Sequence, residues 1–108
     1  MSTYIIGPEN DPNAKERFYK AQKQIETWSK PINKFEIPEI KELKKGLRYY
    51  DGWDLSKIEL RELTRAVHVY ILRGWRRSRV ARLEVKIAKY LNLEIYKEPR
   101  RTARGRKK

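Results

Sequence analysis

The sequence predicts a mainly α fold: a small single domain of about four helices with short extended segments over residues 1–98, then a basic tail, 99–108, that is disordered when free. Three observations lead there. Apolar residues recur at spacings of three and four over several stretches, helix-start and helix-stop residues bracket those stretches, and 108 residues suffice for one modest core. Leu, Ile, Val and Phe number only 25, so the core is small and the charged surface over it is large.

Thr3 to Ile6 reads either as a short strand or as an extended arm, closed by the turn formers Gly7-Pro8-Glu9-Asn10. Asp11 as N-cap and Pro12 at the first helical position start a helix over 12–29. Its apolar stripe is Ala14, Phe18, Ala21, Ile25 and Trp28, and Lys15, Arg17, Lys20, Lys23 and Glu26 form its solvated face. Pro31 ends it, and 31–37 is extended because the residues before Pro31 and Pro38 are steered away from helix. A short helix over 38–45 follows, with Ile40, Leu43 and Leu47 on one side and Gly46 as its stop. Leu47-Arg48-Tyr49-Tyr50 is either a strand or a cover over the core before the Asp51-Gly52 turn.

Ser56-Lys57-Ile58-Glu59 has the spacing of a capping box, flanked by Leu55 and Leu60 as a hydrophobic staple. This predicts a helix over 57–73 with the stripe Leu60, Leu63, Val67, Tyr70 and Ile71, ended by Gly74 in the left-handed C′ position. Ser78 caps a last helix over 79–91 that buries Val80, Leu83, Ile87 and Leu91, and Leu93 to Lys97 alternates as a short strand does.

Charge narrows the function. The net charge is +13, and residues 55–108 hold 17 basic and 5 acidic side chains where residues 1–54 hold 10 and 9. The second half therefore faces a polyanion. A membrane is disfavoured as that polyanion, because the apolar stripes are needed for the core; no apolar run reaches membrane-spanning length and no signal peptide is present, so a soluble cytoplasmic protein is expected. The absence of cysteine excludes disulfides and thiolate metal sites, and one histidine excludes a multi-histidine site within the chain. His68 reads as a structural or surface histidine, and the acids alternate with lysines at salt-bridging spacings. No catalytic residue, metal, cofactor or small-molecule substrate is predicted, and the protein is expected not to be an enzyme.

Five arginines, Arg73, Arg76, Arg77, Arg79 and Arg82, crowd the stretch around Ser78. Cations beside a helix N-terminus oppose the helix dipole unless an anion binds there, and free N–H groups with guanidinium forks are suited to phosphate. Arg79, Arg82, Lys86 and Lys89 fall within about 80° of one another on one helix face. Trp75 sits among the arginines, where it either stacks on an unpaired base or packs in the core. The tail adds Arg100, Arg101, Arg104, Arg106, Lys107 and Lys108, which order along a phosphate backbone by releasing counterions. A basic helix behind a glycine turn also has the outline of a helix-turn-helix, so a chromosomal or viral DNA-binding protein is the alternative. The almost exclusively Arg and Lys face suits phosphates better than bases.

Ile, Val, Tyr, Trp, Arg, Glu and Leu make up 57 residues, a thermophilic composition. With its nearly neutral first half and its ending RRTARGRKK, the chain resembles the small ribosomal proteins of archaea. That resemblance implies a folded body seated on ribosomal RNA and a tail threading between RNA helices. It also implies neighbouring ribosomal proteins as partners for the more neutral half.

Overall fold

The computed structural model describes residues 1–44 and 52–99, with the backbone alone for 42–44 and 52–56. It overturns the mainly α expectation. Four parallel strands, β1 (Ser2–Ile6), β2 (Lys30–Ile32), β3 (His68–Ile71) and β4 (Glu94–Lys97), form one sheet in the order β2-β1-β3-β4. Around it lie α1 (Ala14–Ile25), α2 (Pro38–Lys44), α3 (Gly52–Arg65) and α4 (Arg79–Tyr90), so the fold is α/β.

The handedness of parallel crossovers places the helices. From β1 the chain steps to β2 on one side, then returns past β1 to β3 and on to β4. Right-handed connections thus put α1 on one face of the sheet and α3 and α4 on the other. The core divides accordingly. Ile5, Tyr70 and Leu72 pack with Phe18, Ala21 and Ile25 of α1, whereas Tyr4, Ile6, Val69 and Ile71 pack with Leu63 of α3 and Ala81, Val85 and Ala88 of α4.

The largest difference from the sequence pattern lies over 57–73, where one helix is expected. Leu60, Leu63, Val67, Tyr70 and Ile71 fit a helical stripe, yet α3 stops at Arg65 and His68–Ile71 is β3. All four residues of β3 are buried. Val67 to Leu72 is a nearly unbroken apolar, β-branched run, the signature of a parallel strand covered on both faces, and that demand prevails over the coincidental spacing. Gly74 does adopt φ +85°, but it ends a strand and not a helix.

Other starts shift for local reasons. Asp11 caps a turn, its Oδ1 accepting from the Asn13 N–H at 2.8 Å, and α1 begins only at Ala14. Gly52 opens α3 upstream of Ser56, so Ser56-Lys57-Ile58-Glu59 lies inside the helix and is no capping box. In α4 the buried face is Ala81, Glu84, Val85 and Ala88, while Leu83 and Leu91, expected in the core, are 47% and 42% exposed. Small residues let α4 sit close to the sheet. Of the two readings open for Thr3 to Ile6 the strand holds, Glu94–Lys97 is a strand as its alternation allowed, and α2 and Ser78 as the cap of α4 are as expected. The readings for Gly46 and Leu47–Tyr50, the side chains of Leu43, Trp53 and Leu55, and the tail 100–108 lie outside the described residues.

β1 and β3 are neighbours whose outgoing connections leave for opposite faces. In open parallel sheets the crevice at such a switch point, outside the carboxyl ends of the strands, is where ligands bind. Gly7-Pro8-Glu9 and Arg73–Ser78 flank it. The two ends touch: a Cβ on Gly7 would stand 2.7 Å from Leu72 Cδ1.

Candidate nucleic-acid interface

The arginine-rich turn is built tightly. Leu72 extends the ladder by donating its N–H to Ile6 O at 2.8 Å, Gly74 reverses the chain, and Trp75–Arg77 closes a single 3-10 turn through Arg77 N–H to Gly74 O at 3.1 Å. Ser78 is extended, and its Oγ accepts from the Ala81 N–H at 3.1 Å, starting α4. Arg82 Nη1 donates back to Arg76 O at 2.8 Å, and the Arg76 guanidinium lies 4.8 Å from the centre of the Trp75 ring.

Three hollows meet at this turn. On the α1 side a cleft of about 560 Å³ is bordered by Arg17, Lys20, Arg73, Gly74, Arg77 and Glu98. A hollow of about 330 Å³ at the carboxyl ends of β3 and β4 shares Arg73, Gly74 and Glu98 with it and adds Trp75, Arg76 and Lys97. Beyond Trp75 and Arg76, a groove of about 480 Å³ runs along α4 past Arg82, Val85, Lys86 and Lys89. Shared borders make the three one track across the carboxyl end of the sheet. Pro99 also borders the first cleft, and the six cations of the tail follow it in sequence.

Within this track the cations differ. Arg17 is a structural clamp, donating to Arg73 O at 2.8 Å, Glu98 Oε1 at 3.0 Å and Asp11 Oδ2 at 3.3 Å. Glu98 Oε1 also accepts the Arg73 N–H at 2.8 Å. Lys20, Arg73, Arg76, Arg82, Lys86 and Lys89, by contrast, are exposed and make no salt bridge to a described residue. The same holds for Arg77 and for Arg79, which lies on the exposed start of α4 away from the three hollows. The structure therefore gathers Arg73, Arg76, Arg77, Arg82, Lys86 and Lys89 around these hollows. It adds Lys20 and Arg17, which helical spacing alone had assigned to a solvated face. Trp75 is half-buried against the core with its ring under Arg76.

A second polar constellation, invisible in the sequence, lies at the carboxyl ends of β1 and β2. Lys34 Nζ contacts Glu9 Oε2 at 2.7 Å, Glu84 Oε1 and Oε2 at 3.2 and 3.3 Å and Glu59 Oε1 at 3.4 Å, and the Tyr4 hydroxyl donates to Glu84 Oε2 at 2.7 Å. Lys34, Glu59, Glu84 and Tyr4 are buried, and Glu9 is half-buried. Three carboxyl groups face one ammonium, and a buried surplus of negative charge is costly unless protons neutralise it. Burial raises Glu59 to about 7 against the pull of Lys34, and burial likewise raises Glu84. Burial works against the Lys34 ammonium, but Glu84, Glu9 and Glu59 together outweigh it and raise its pKa. Glu84 shares the buried face of α4 with Ala81, Val85 and Ala88, a face that the expected stripe Val80, Leu83, Ile87 and Leu91 did not include.

A dependence of stability on pH follows. The folded Glu59 carboxyl, at about 7, holds a proton that the unfolded chain, at 4.5, releases. Stability is therefore expected to fall as pH rises through that window, and the raised Glu84 acts in the same direction. Lys34, charged in both states across this range, adds no slope. Urea unfolding at a series of pH values checks this; rising stability between about pH 5 and about pH 7 would refute the shared-proton description.

His68 is buried, with Nε2 2.9 Å from Glu94 Oε1 and its ring among Trp28 and Tyr96, the structural of the two positions expected for it. Among the described residues no group of His, Cys, Asp and Glu is placed to hold a metal, and no helix is long and apolar enough to cross a membrane. A family model described as Domain of unknown function (DUF4406) matches residues 1–97. The chain belongs to this family. Comparison with curated proteins and with solved structures gives no match. The DUF4406 match takes in all four strands, both sides of the Arg73–Ser78 turn and every member of the Lys34 cluster, and it stops before the tail.

Proposed function

We propose that this protein binds RNA through phosphate contacts along the track that crosses the carboxyl end of its sheet. The observation that carries the reading is the continuity of the three hollows around Arg73–Arg77, bordered by cations of which all but Arg17 make no salt bridge to a described residue. A single phosphate needs one such hollow, whereas a connected series suits a polymer of phosphates. The site is non-catalytic in this reading. Its ribosomal form rests on the charge layout and the tail sequence. The helix-turn-helix outline that favoured DNA loses its basis, because β3 and not a helix precedes the turn.

The test is RNA affinity across a salt series, with a mononucleotide alongside. If about six phosphates are neutralised, log affinity falls by about four to five units per decade of salt. A flat salt response defeats the proposal. A second reading, a small phosphorylated substrate, is favoured by the switch point between β1 and β3, which lies at the same end of the sheet as the Glu9, Glu59 and Glu84 carboxyl groups. Mononucleotide binding as tight as that of the polymer would select it.

A further inference from the structure

We infer that the groove along α4 takes an unpaired base of the bound strand, so that the partner is single-stranded at this point. The inference rests on the polyanion reading and goes beyond it, because phosphates account for the groove's rim and not for its floor. Trp75 packs against the core cluster beside Val85 of α4, and the two provide an apolar floor. Arg76, Arg82, Lys86 and Lys89 supply the rim, and among the described residues no acid borders the groove. The Arg76 guanidinium, 4.8 Å above the indole centre, sets a planar cation over an aromatic ring.

Bases stack on aromatic rings and on guanidinium planes, and the flanking phosphates satisfy the cations around them. A continuous duplex cannot use this floor, since its bases are stacked inside and it offers phosphates and groove edges alone. An acidic peptide offers the charge without the flat ring. The pinned backbone holds the platform in place, because Arg82 donates to Arg76 O at 2.8 Å and Ser78 fixes the start of the helix.

The experiment compares three strands of equal phosphate number, namely a single-stranded RNA, the same strand in a duplex, and an abasic sugar-phosphate strand, with polyglutamate as competitor. The wild-type protein is expected to bind the single strand roughly fivefold to 100-fold more tightly than the abasic strand. Trp75→Ala should remove most of that difference while costing the abasic strand much less, and Trp75→Phe should retain most of it. Because Trp75 also packs on the core, Trp75→Ala affects folding as well; if it does not fold, the wild-type comparison and Trp75→Phe decide. Equal affinity for the single and abasic strands, equal losses on both, or displacement by polyglutamate as effective as by RNA overturns the base site. If none of the three strands binds with a salt-dependent affinity, the polyanion reading itself has failed.

Discussion

Lys34→Met is expected to cost the fold about 3–5 kcal/mol, because it leaves the carboxyl groups of Glu9, Glu59 and Glu84 facing one another without the ammonium that holds them. For a domain of this size that is a drop in Tm of roughly 15 °C or more. The loss should shrink in acid, where protons neutralise the carboxylates in place of the ammonium; comparing unfolding at about pH 5 and about pH 8 reads this directly. Adding Glu59→Gln and Glu84→Gln to Lys34→Met should restore much of the stability. An undiminished loss in acid, with no recovery in the triple variant, would mean that Lys34 stabilises by packing against Tyr4 and Phe18, whose ring centres lie 5.8 and 5.9 Å from its Nζ, and not by its charge.

Reversal of three cations along the track, Arg73, Arg76 and Lys86 to Glu, is expected to lower RNA affinity by roughly a hundredfold or more and to reduce the salt slope by about three. A proper control reverses Lys15, Lys23 and Lys30, which are exposed and border none of the three hollows. Lys20 would be a poor control, since it borders the first cleft. The control should weaken binding modestly through net charge and keep the salt slope. Equal losses with equal slopes from the two triple variants would remove any special role for the Arg73–Arg77 turn and leave only net charge as the cause of binding.

The local punctuation of the fold was legible and its pairing was not. Gly74 and Ser78 were found because a left-handed residue and a hydroxyl cap are requirements of one or two peptide units. β3 was lost because Leu60, Leu63, Val67, Tyr70 and Ile71 satisfy a helical period while belonging to two elements, and only the sheet distinguishes them. The same failure hid the parallel sheet, whose two central strands, β1 and β3, are buried on both faces and show no alternation. The exposed arginines of the track could be read in sequence because they are close together. Lys20 and Arg17 could not, since they reach it from α1. Lys34 meets Glu9 and Glu59 across 25 residues and Glu84 across 50, so no window of sequence contains the cluster.

The first strand of the chain is the second of the sheet, between β2 and β3. β2 follows soon after β1, but the other edge of β1 pairs with His68–Ile71, and Tyr4 finds Glu84 80 residues away. At about 5–20 residues per second, a growing chain would carry β1 with that edge open for roughly 3–13 s before β3 is made. Folding that waits on such distant partners is slow compared with a helical bundle of similar length, and an unpaired apolar edge is a template for association with other chains. Residues 1–44 by themselves, having β1 and β2 without β3, should therefore aggregate and not fold, so the amino-terminal half is dependent on the basic half that follows it.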